Sequence, residues 1–236
     1  MNPKGATSGI GKAVAKELAE RGAKVFVGGR REQVVRDIRA AGGEAFFIQM
    51  DVTNEESISQ AIEVIVSRYG RLDLAVNNAG VVLEQAPLAN SDKELFSNTI
   101  QTYVLGVYLS MKHEIQQMLK NGGGSIVNTS LVAGIKAFAA NSAYVASKYA
   151  VEGLSKSAAL DYANQDIHIN TVAPGPTRTE KMENDEALLN SYSEMSPSKR
   201  VGTPEEISKC IAWLLSDEAS YVTGTTLTID GGTSAG

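Results

Sequence analysis

The sequence predicts an α/β fold, a single doubly wound Rossmann-type domain over residues 1–236 with helices on both faces of a mostly parallel sheet. Three observations carry that prediction. Short apolar runs alternate with longer amphipathic ones, the pattern of repeated strand–helix units. A loop of small residues, Gly5-Ala6-Thr7-Ser8-Gly9-Ile10-Gly11, opens directly into a helical run. No linker, tandem repeat or low-complexity stretch divides the 236 residues, a length of about 1.6 average domains that suffices for one core without staples.

The elements follow in order. A helix over about Ile10–Arg21 starts on the glycine loop. The apolar run Lys24–Gly28 is a strand, and Glu32–Ala41 is the helix after it. Ala45–Met50, carrying Phe46-Phe47-Ile48, is the next strand, followed by a helix over Glu55–Tyr69. Leu72–Val76 leads into Asn77-Asn78-Ala79-Gly80, and one long helix is expected over Asp92–Lys120. Gly122-Gly123-Gly124 then punctuates a helix-to-strand turn before the strand Ser125–Asn128. A helix over Ser142–Tyr162 and a strand over Ile167–Val172 come next. Thr203-Pro204-Glu205-Glu206 supplies a cap, a first-turn proline and early acids, so a helix begins there and runs to Leu215. Leu227–Ile229 closes the sheet. The polar stretch 177–202, which contains Pro197, lies just past a strand end, where open α/β sheets bind ligands. It reads as a substrate lid; the plainer alternative is a solvated helix-loop excursion.

Composition narrows the class. Lys and Arg total 22 against 27 Asp and Glu, a net charge of −5, whereas a nucleic-acid binder would be basic or carry a basic stripe. Cys210 is the one cysteine, so no internal disulfide forms and a reducing compartment is expected. The chain has no 18-residue apolar run, and Met1-Asn2-Pro3-Lys4 does not read as a signal peptide. The expectation is a soluble, cytoplasmic protein with no nucleic-acid or membrane partner. His113 and His168 have no Cys or acid at metal-ligand spacing, so no metal is expected. Cys210 reads as a packed, inert thiol among Ile207, Ile211 and Trp213.

In the loop Gly5–Gly11, small residues let a pyrophosphate approach the backbone, and the helix behind it offers free N–H groups and the positive end of its dipole. Such a loop should follow a buried strand, and Met1–Lys4 is too short and too polar to be one. After the second strand position stand Arg30 and Arg31, where an acid would bind a ribose 2′-hydroxyl. Two guanidiniums there suit a 2′-phosphate, so NADP is the preferred cofactor, with NAD kept open by Glu32.

Asp51-Val52, Asn77-Asn78-Ala79-Gly80, Tyr144-x-x-x-Lys148, Pro174-Gly175 and Asp230-Gly231-Gly232 follow the loop in order. Together these motifs resemble the short-chain dehydrogenase/reductase family from Gly5 to the C-terminus. The resemblance implies an NAD(P)-dependent oxidoreductase that moves a hydride between nicotinamide and a carbonyl or secondary alcohol. It implies that Gly5, Ser8, Gly9, Ile10 and Gly11 hold the pyrophosphate, with Arg30 and Arg31 at the ribose and Asp51 and Val52 against adenine. Asn77, Ala79 and Gly80 would shape the floor beneath the cofactor, and Pro174, Gly175, Thr177 and Thr179 would meet the nicotinamide. Tyr144 would be the general acid/base and Lys148 its partner, both also touching the cofactor. Family members often form tetramers through the helices corresponding to Asp92–Lys120 and Ser142–Tyr162, so a homotetramer is expected. The residues agree with the chemistry: Tyr144 and Lys148, four apart on a helix, share one face. An adjacent ammonium is expected to lower the phenol's pKa from about 10 toward a working range.

The sequence departs from the family in three places. The strand that should lead into the glycine loop is missing, so either residues were lost from the start, the sheet closes differently, or another segment fills the gap. The family's catalytic serine lies 13 residues before the tyrosine, and position 131 is leucine. Ser130 is adjacent, but neighbouring strand residues point to opposite faces. The family's helix asparagine, three before Gly106, is here Tyr103. A second reading is therefore a catalytically impaired, truncated or altered homologue serving as a structural or regulatory subunit.

Overall fold

The computed structural model describes residues 9–29, 32–80, 85–178, 182 and 185–235. Among them six strands lie in two parallel pieces. β1 (Val25–Gly29) pairs with β2 (Ala45–Gln49), with Val25 opposite Ala45. β3 (Leu74–Asn77), β4 (Gly124–Thr129), β5 (Ile167–Pro174) and β6 (Thr226–Ile229) form a four-stranded sheet in that order. No described strand joins β1 to β3.

Two helical layers cover these strands. α1 (Gly9–Glu20), α2 (Gln33–Ala40) and α8 (Pro204–Leu214) form one; α3 (Glu55–Tyr69), α5 (Gly106–Asn121) and α6 (Ser142–Tyr162) form the other, with α4 (Lys93–Ile100) packed on α6, and α7 (Glu186–Glu194) follows β5 in the chain. Alternation along β4 decides which core each residue enters. Ile126 packs with Met111, Met118, Val151 and Ile169 beneath α5 and α6. Its neighbour Val127 packs with Val14, Val172, Ile207 and Ile211 beneath α1 and α8. A third cluster, Val27, Val34, Val35 and Ile38, closes β1 and β2 under α2.

The sequence-predicted elements hold to within a residue or two, with one correction. The helix expected over Asp92–Lys120 is interrupted by a π-helical turn at Gln101–Leu105, so α4 and α5 are separate. Such wide turns are inserted residues that distort the helical ladder and occur mostly at functional sites. This one carries Tyr103. Asp92 caps α4 by accepting from the Glu94 and Leu95 amides. The reciprocal box at Thr203 and Glu206 caps α8 as its sequence predicts. Trp213, expected in the packed face of that helix, is on its exposed side, while Ile207 and Ile211 are buried.

The stretch 177–202 carries α7, whose N-cap Asp185 accepts from the Leu188 amide at 2.9 Å. Its two ends are tied together where Gly202 donates to Pro176 O at 2.9 Å and Arg178 donates to Gly202 O at 2.8 Å.

Candidate active site

The described site residues gather where the strands end. In parallel sheets all C-terminal strand ends lie on one edge, so Asn77, Thr129, Pro174 and Ile229 share that edge. α1 begins there at Gly9, whose φ of +53° is left-handed and whose surroundings are open. Its first turn therefore presents unpaired N–H groups and a positive dipole end. Gly5, Ser8, Arg30, Arg31 and Thr179 lie outside the described residues.

Asp51 organises the turn before α3: its Oδ1 accepts from the Thr53 amide and hydroxyl at 2.9 and 2.8 Å. Val52 packs on Gly106, where a Cβ would come within 3.0 Å of its methyl. Asn77 Nδ2 donates to Asn128 Oδ1 at 2.9 Å and to Glu114 Oε2 at 3.0 Å, which fixes the end of β3 from which Ala79 and Gly80 continue. Gly175 must be glycine, because a Cβ there would meet Asp230 Cα at 2.7 Å. Asp230 in turn accepts from the Gly232 and Ser234 amides at 2.9 and 2.7 Å. Thr177 turns its hydroxyl onto Gly175 O at 3.0 Å.

Tyr144 and Lys148 lie on the same face of α6 as expected. Lys148 is buried and donates to Thr129 O at 2.8 Å. Its ammonium lies 4.4 Å from the Tyr103 ring centre and 5.6 Å from that of Tyr144, and the two rings meet edge to face at 5.4 Å. The expected electrostatics need correction. Burial pushes the Tyr144 phenol up, aided by the nearby Tyr103 and Tyr192. Burial also pulls Lys148 down to about 7, against the Glu152 carboxylate, which holds it up. Desolvation thus outweighs the ammonium's pull on the phenol.

Sequence reasoning missed the aromatic enclosure. Tyr103 is a departure the sequence shows, but its stacking on Lys148 depends on the π turn, and Tyr192 of α7 is near enough to Tyr144 to raise its phenol. The serine question resolves geometrically. Leu131 is extended and half-buried at the end of β4. The Ser130 hydroxyl is buried without a hydrogen-bond partner among the described residues, facing Gly134 so closely that a Cβ there would lie 2.4 Å away. It is therefore turned into the loop, not toward Tyr144.

Cys210 is half-buried, and burial followed by the Glu206 charge raises its thiol, so it is unreactive. Among the described residues no group of three or more metal-ligating side chains occurs, and no helix is long and apolar enough to cross a membrane.

Comparison with known proteins accords with this arrangement. The chain matches the family described as enoyl-(acyl carrier protein) reductase over residues 5–234. It is 40% identical over 237 residues to the A-factor type gamma-butyrolactone 1′-reductase (1S-forming) of Streptomyces virginiae, covering 97% of this chain and 92% of that protein. It is also 40% identical to the cyclohexanol dehydrogenase of Acinetobacter sp. (strain SE19), covering 96% of this chain and 91% of the other. Among solved structures, ElxO with NADP bound superimposes with a TM-score of 0.93 at 35% identity, over 99% of this chain and 97% of that one.

Proposed function

The chain belongs to the short-chain dehydrogenase/reductase family and is an NAD(P)-dependent oxidoreductase, and from that premise we propose a division of labour among its residues. The single observation that carries it is the pair Tyr144 and Lys148, side by side at the sheet edge that the start of α1 overlooks. Relatives named as a gamma-butyrolactone 1′-reductase and a cyclohexanol dehydrogenase support small secondary alcohols and the corresponding ketones as substrates. NADP(H) is the preferred cofactor.

The residues present fit a dinucleotide. The open first turn of α1 at Gly9 offers N–H donors to a pyrophosphate. Gly175, held against Asp230 by a contact no side chain would permit, keeps backbone at the base of the site. The buried Thr129 hydroxyl, without a partner among the described residues, is available beside Lys148. When bound, the nicotinamide supplies or accepts the hydride.

Tyr144 donates its proton to the substrate carbonyl oxygen. Its raised pKa keeps it protonated at neutral pH, which favours reduction over oxidation. Lys148, anchored on Thr129 O and pulled down to about 7, is about half protonated at neutral pH and able to take up or release a proton there. Tyr103, Tyr192 and Leu131 line the approach with apolar surface and exclude water. Leu131 offers no hydrogen bond to the developing oxyanion, so Tyr144 carries that load without a serine. The stretch 177–202 acts as the substrate lid through α7, within a single functional domain over 1–236. Gly5, Ser8, Ile10, Gly11, Arg30, Arg31, Asp51, Val52, Asn77, Ala79, Gly80, Pro174, Thr177 and Thr179 complete the cofactor site in the roles their motifs imply.

The protein assembles as a homotetramer. Leu105, Tyr108, Tyr149 and Leu160 stand exposed on the π turn, α5 and α6, and helix faces of this kind are buried by a partner copy.

The test is Tyr144→Phe. It should lower kcat for ketone reduction by about 10²–10⁴ while leaving NADPH affinity unchanged. Undiminished kcat would remove Tyr144 from the chemistry.

A further inference from the structure

One turn beyond Lys148 on α6 stands Glu152, and each of the two residues is only 4% exposed. Residues four apart share a helix face, and here that face is held on the sheet: Lys148 on β4 through Thr129 O, Glu152 on β5 and β6. Glu152 Oε2 accepts from the Thr171 hydroxyl at 2.8 Å and also from the Thr226 hydroxyl. Its Oε1 is buried with no hydrogen-bond partner among the described residues. The turn Val132–Gly134 presses on the same face: a Cβ at Gly134 would lie 3.1 Å from Lys148 O and 3.2 Å from Glu152 Cγ. A buried carboxyl on these terms is costly in its charged form unless an opposite charge is close.

Lys148 has the matching need. An ammonium carries three N–H donors; one goes to Thr129 O at 2.8 Å, and the Tyr103 ring, 4.4 Å away, covers another side. Among the described residues, the titratable groups that face Lys148 are Tyr103 from the π turn and Tyr144 and Glu152 from α6, with Tyr192 of α7 against Tyr144. From the sheet, β4, β5 and β6 bring only the uncharged Thr129, Thr171 and Thr226 to the pair. Glu114 of α5 is engaged by Asn77 instead. Glu152 is therefore the one carboxyl in this set, and it opposes the loss of charge that burial imposes on Lys148.

We propose that Glu152 is a positioning residue for Lys148: clamped by the Thr171 and Thr226 hydroxyls, its carboxylate keeps the buried lysine an ammonium beside Tyr144. The inference rests on the roles proposed above for Tyr144 and Lys148 and extends them one helical turn deeper. In ketone reduction Tyr144 gives its proton to the carbonyl oxygen and recovers one from the Lys148 ammonium, which is left as the amine. The charged fraction of Lys148 thus governs how readily the phenol is restored, and Glu152 sets that fraction without touching substrate.

The test titrates Lys148 directly, by NMR of the full chain labelled at lysine, without cofactor, in the parent and in three variants. Glu152→Gln removes the charge and keeps the acceptor for the two threonines. Glu152→Met removes the charge with an apolar side chain of similar length, a replacement that buried ionic groups commonly tolerate, so it carries the test should the glutamine variant fail to fold. Glu152→Asp keeps the charge. Loss of a nearby opposite charge should move the Lys148 midpoint acidward by about one pH unit or more in the Gln and Met variants, and by clearly less in the Asp variant. The high-pH fall of kcat for ketone reduction should move with it. An unmoved midpoint in the Gln and Met variants would overturn the proposal, as would an equal move in all three variants, which would mark a packing effect. A kcat lowered by the same factor at every pH would overturn it too. The NMR titration involves neither cofactor nor turnover, so its outcome stands apart from failure of the proposed activity, which Tyr144→Phe reads.

Discussion

Tyr144 and Lys148 show how burial and charge compete within one site. A phenol beside an ammonium would ordinarily be lowered, but here both groups are withdrawn from water and the Lys148 ammonium lies closer to the Tyr103 ring than to that of Tyr144. The raised phenol predicts that ketone reduction, which uses the protonated phenol, loses nothing to Tyr144 titration in the neutral range and changes there only through Lys148 near pH 7, while alcohol oxidation, which needs the phenolate, climbs with pH into the alkaline range. Paired pH profiles of kcat check this; equal profiles in the two directions would contradict it. Leu131 gives a second residue-scale prediction. Leu131→Ser places a donor where the family has one and should raise kcat by on the order of 10², the inverse of losing an oxyanion donor. Steady-state kinetics at saturating NADPH would read it. Glu114 gives a third. Burial raises its carboxyl from 4.5 to about 7, so between those values the folded state keeps a proton that the unfolded chain releases. That contribution to stability is full below about pH 4.5 and is lost as pH rises to about 7. Glu114→Gln should therefore be more stable than the parent at pH 8, by on the order of 1–2 kcal/mol, and indistinguishable at pH 4.5 in urea titrations.

At the scale of elements, the π turn at Gln101–Leu105 and the tight approach of β5 to β6 shape the site. The turn delivers Tyr103 onto Lys148 at the position where relatives of the family place asparagine, and the ring occupies the space beside the amine. Leu131→Ser combined with Tyr103→Asn should exceed the single variant in kcat, because the serine restores a donor and the asparagine uncovers Lys148 to water. Gly175 belongs to the other boundary. Gly175→Ala forces a methyl to within 2.7 Å of Asp230 Cα, so β5 and β6 must part at the site. It should weaken NADPH binding by about tenfold or more and lower the melting temperature by several degrees, about 1–3 kcal/mol. Element order was legible in the sequence because apolar period, caps and glycines marked each segment: the Thr203-Pro204-Glu205-Glu206 start of α8 is an example. The π turn was not, since its inserted residue leaves the apolar pattern of Asp92–Lys120 intact. The site motifs were equally legible as a series, whereas the inward turn of Ser130 and the reach of Tyr192 depend on contacts between segments far apart in the chain.

For the whole molecule, the described strands lie in two parallel pieces, β1–β2 and β3–β4–β5–β6. Comparison with reductases and dehydrogenases over nearly the whole length favours an enzyme over a structural subunit. The exposed apolar side chains on α5 and α6 predict a tetramer by light scattering at micromolar concentration, and a monomer would contradict that assembly. The central claim, that the edge of strand ends beneath α1 is a working NADP(H) site, is tested most directly by titrating the protein with NADPH and with NADH and following energy transfer from Trp213 and the tyrosines. Saturable binding with NADPH the tighter is the predicted result. A folded protein that binds neither would contradict it.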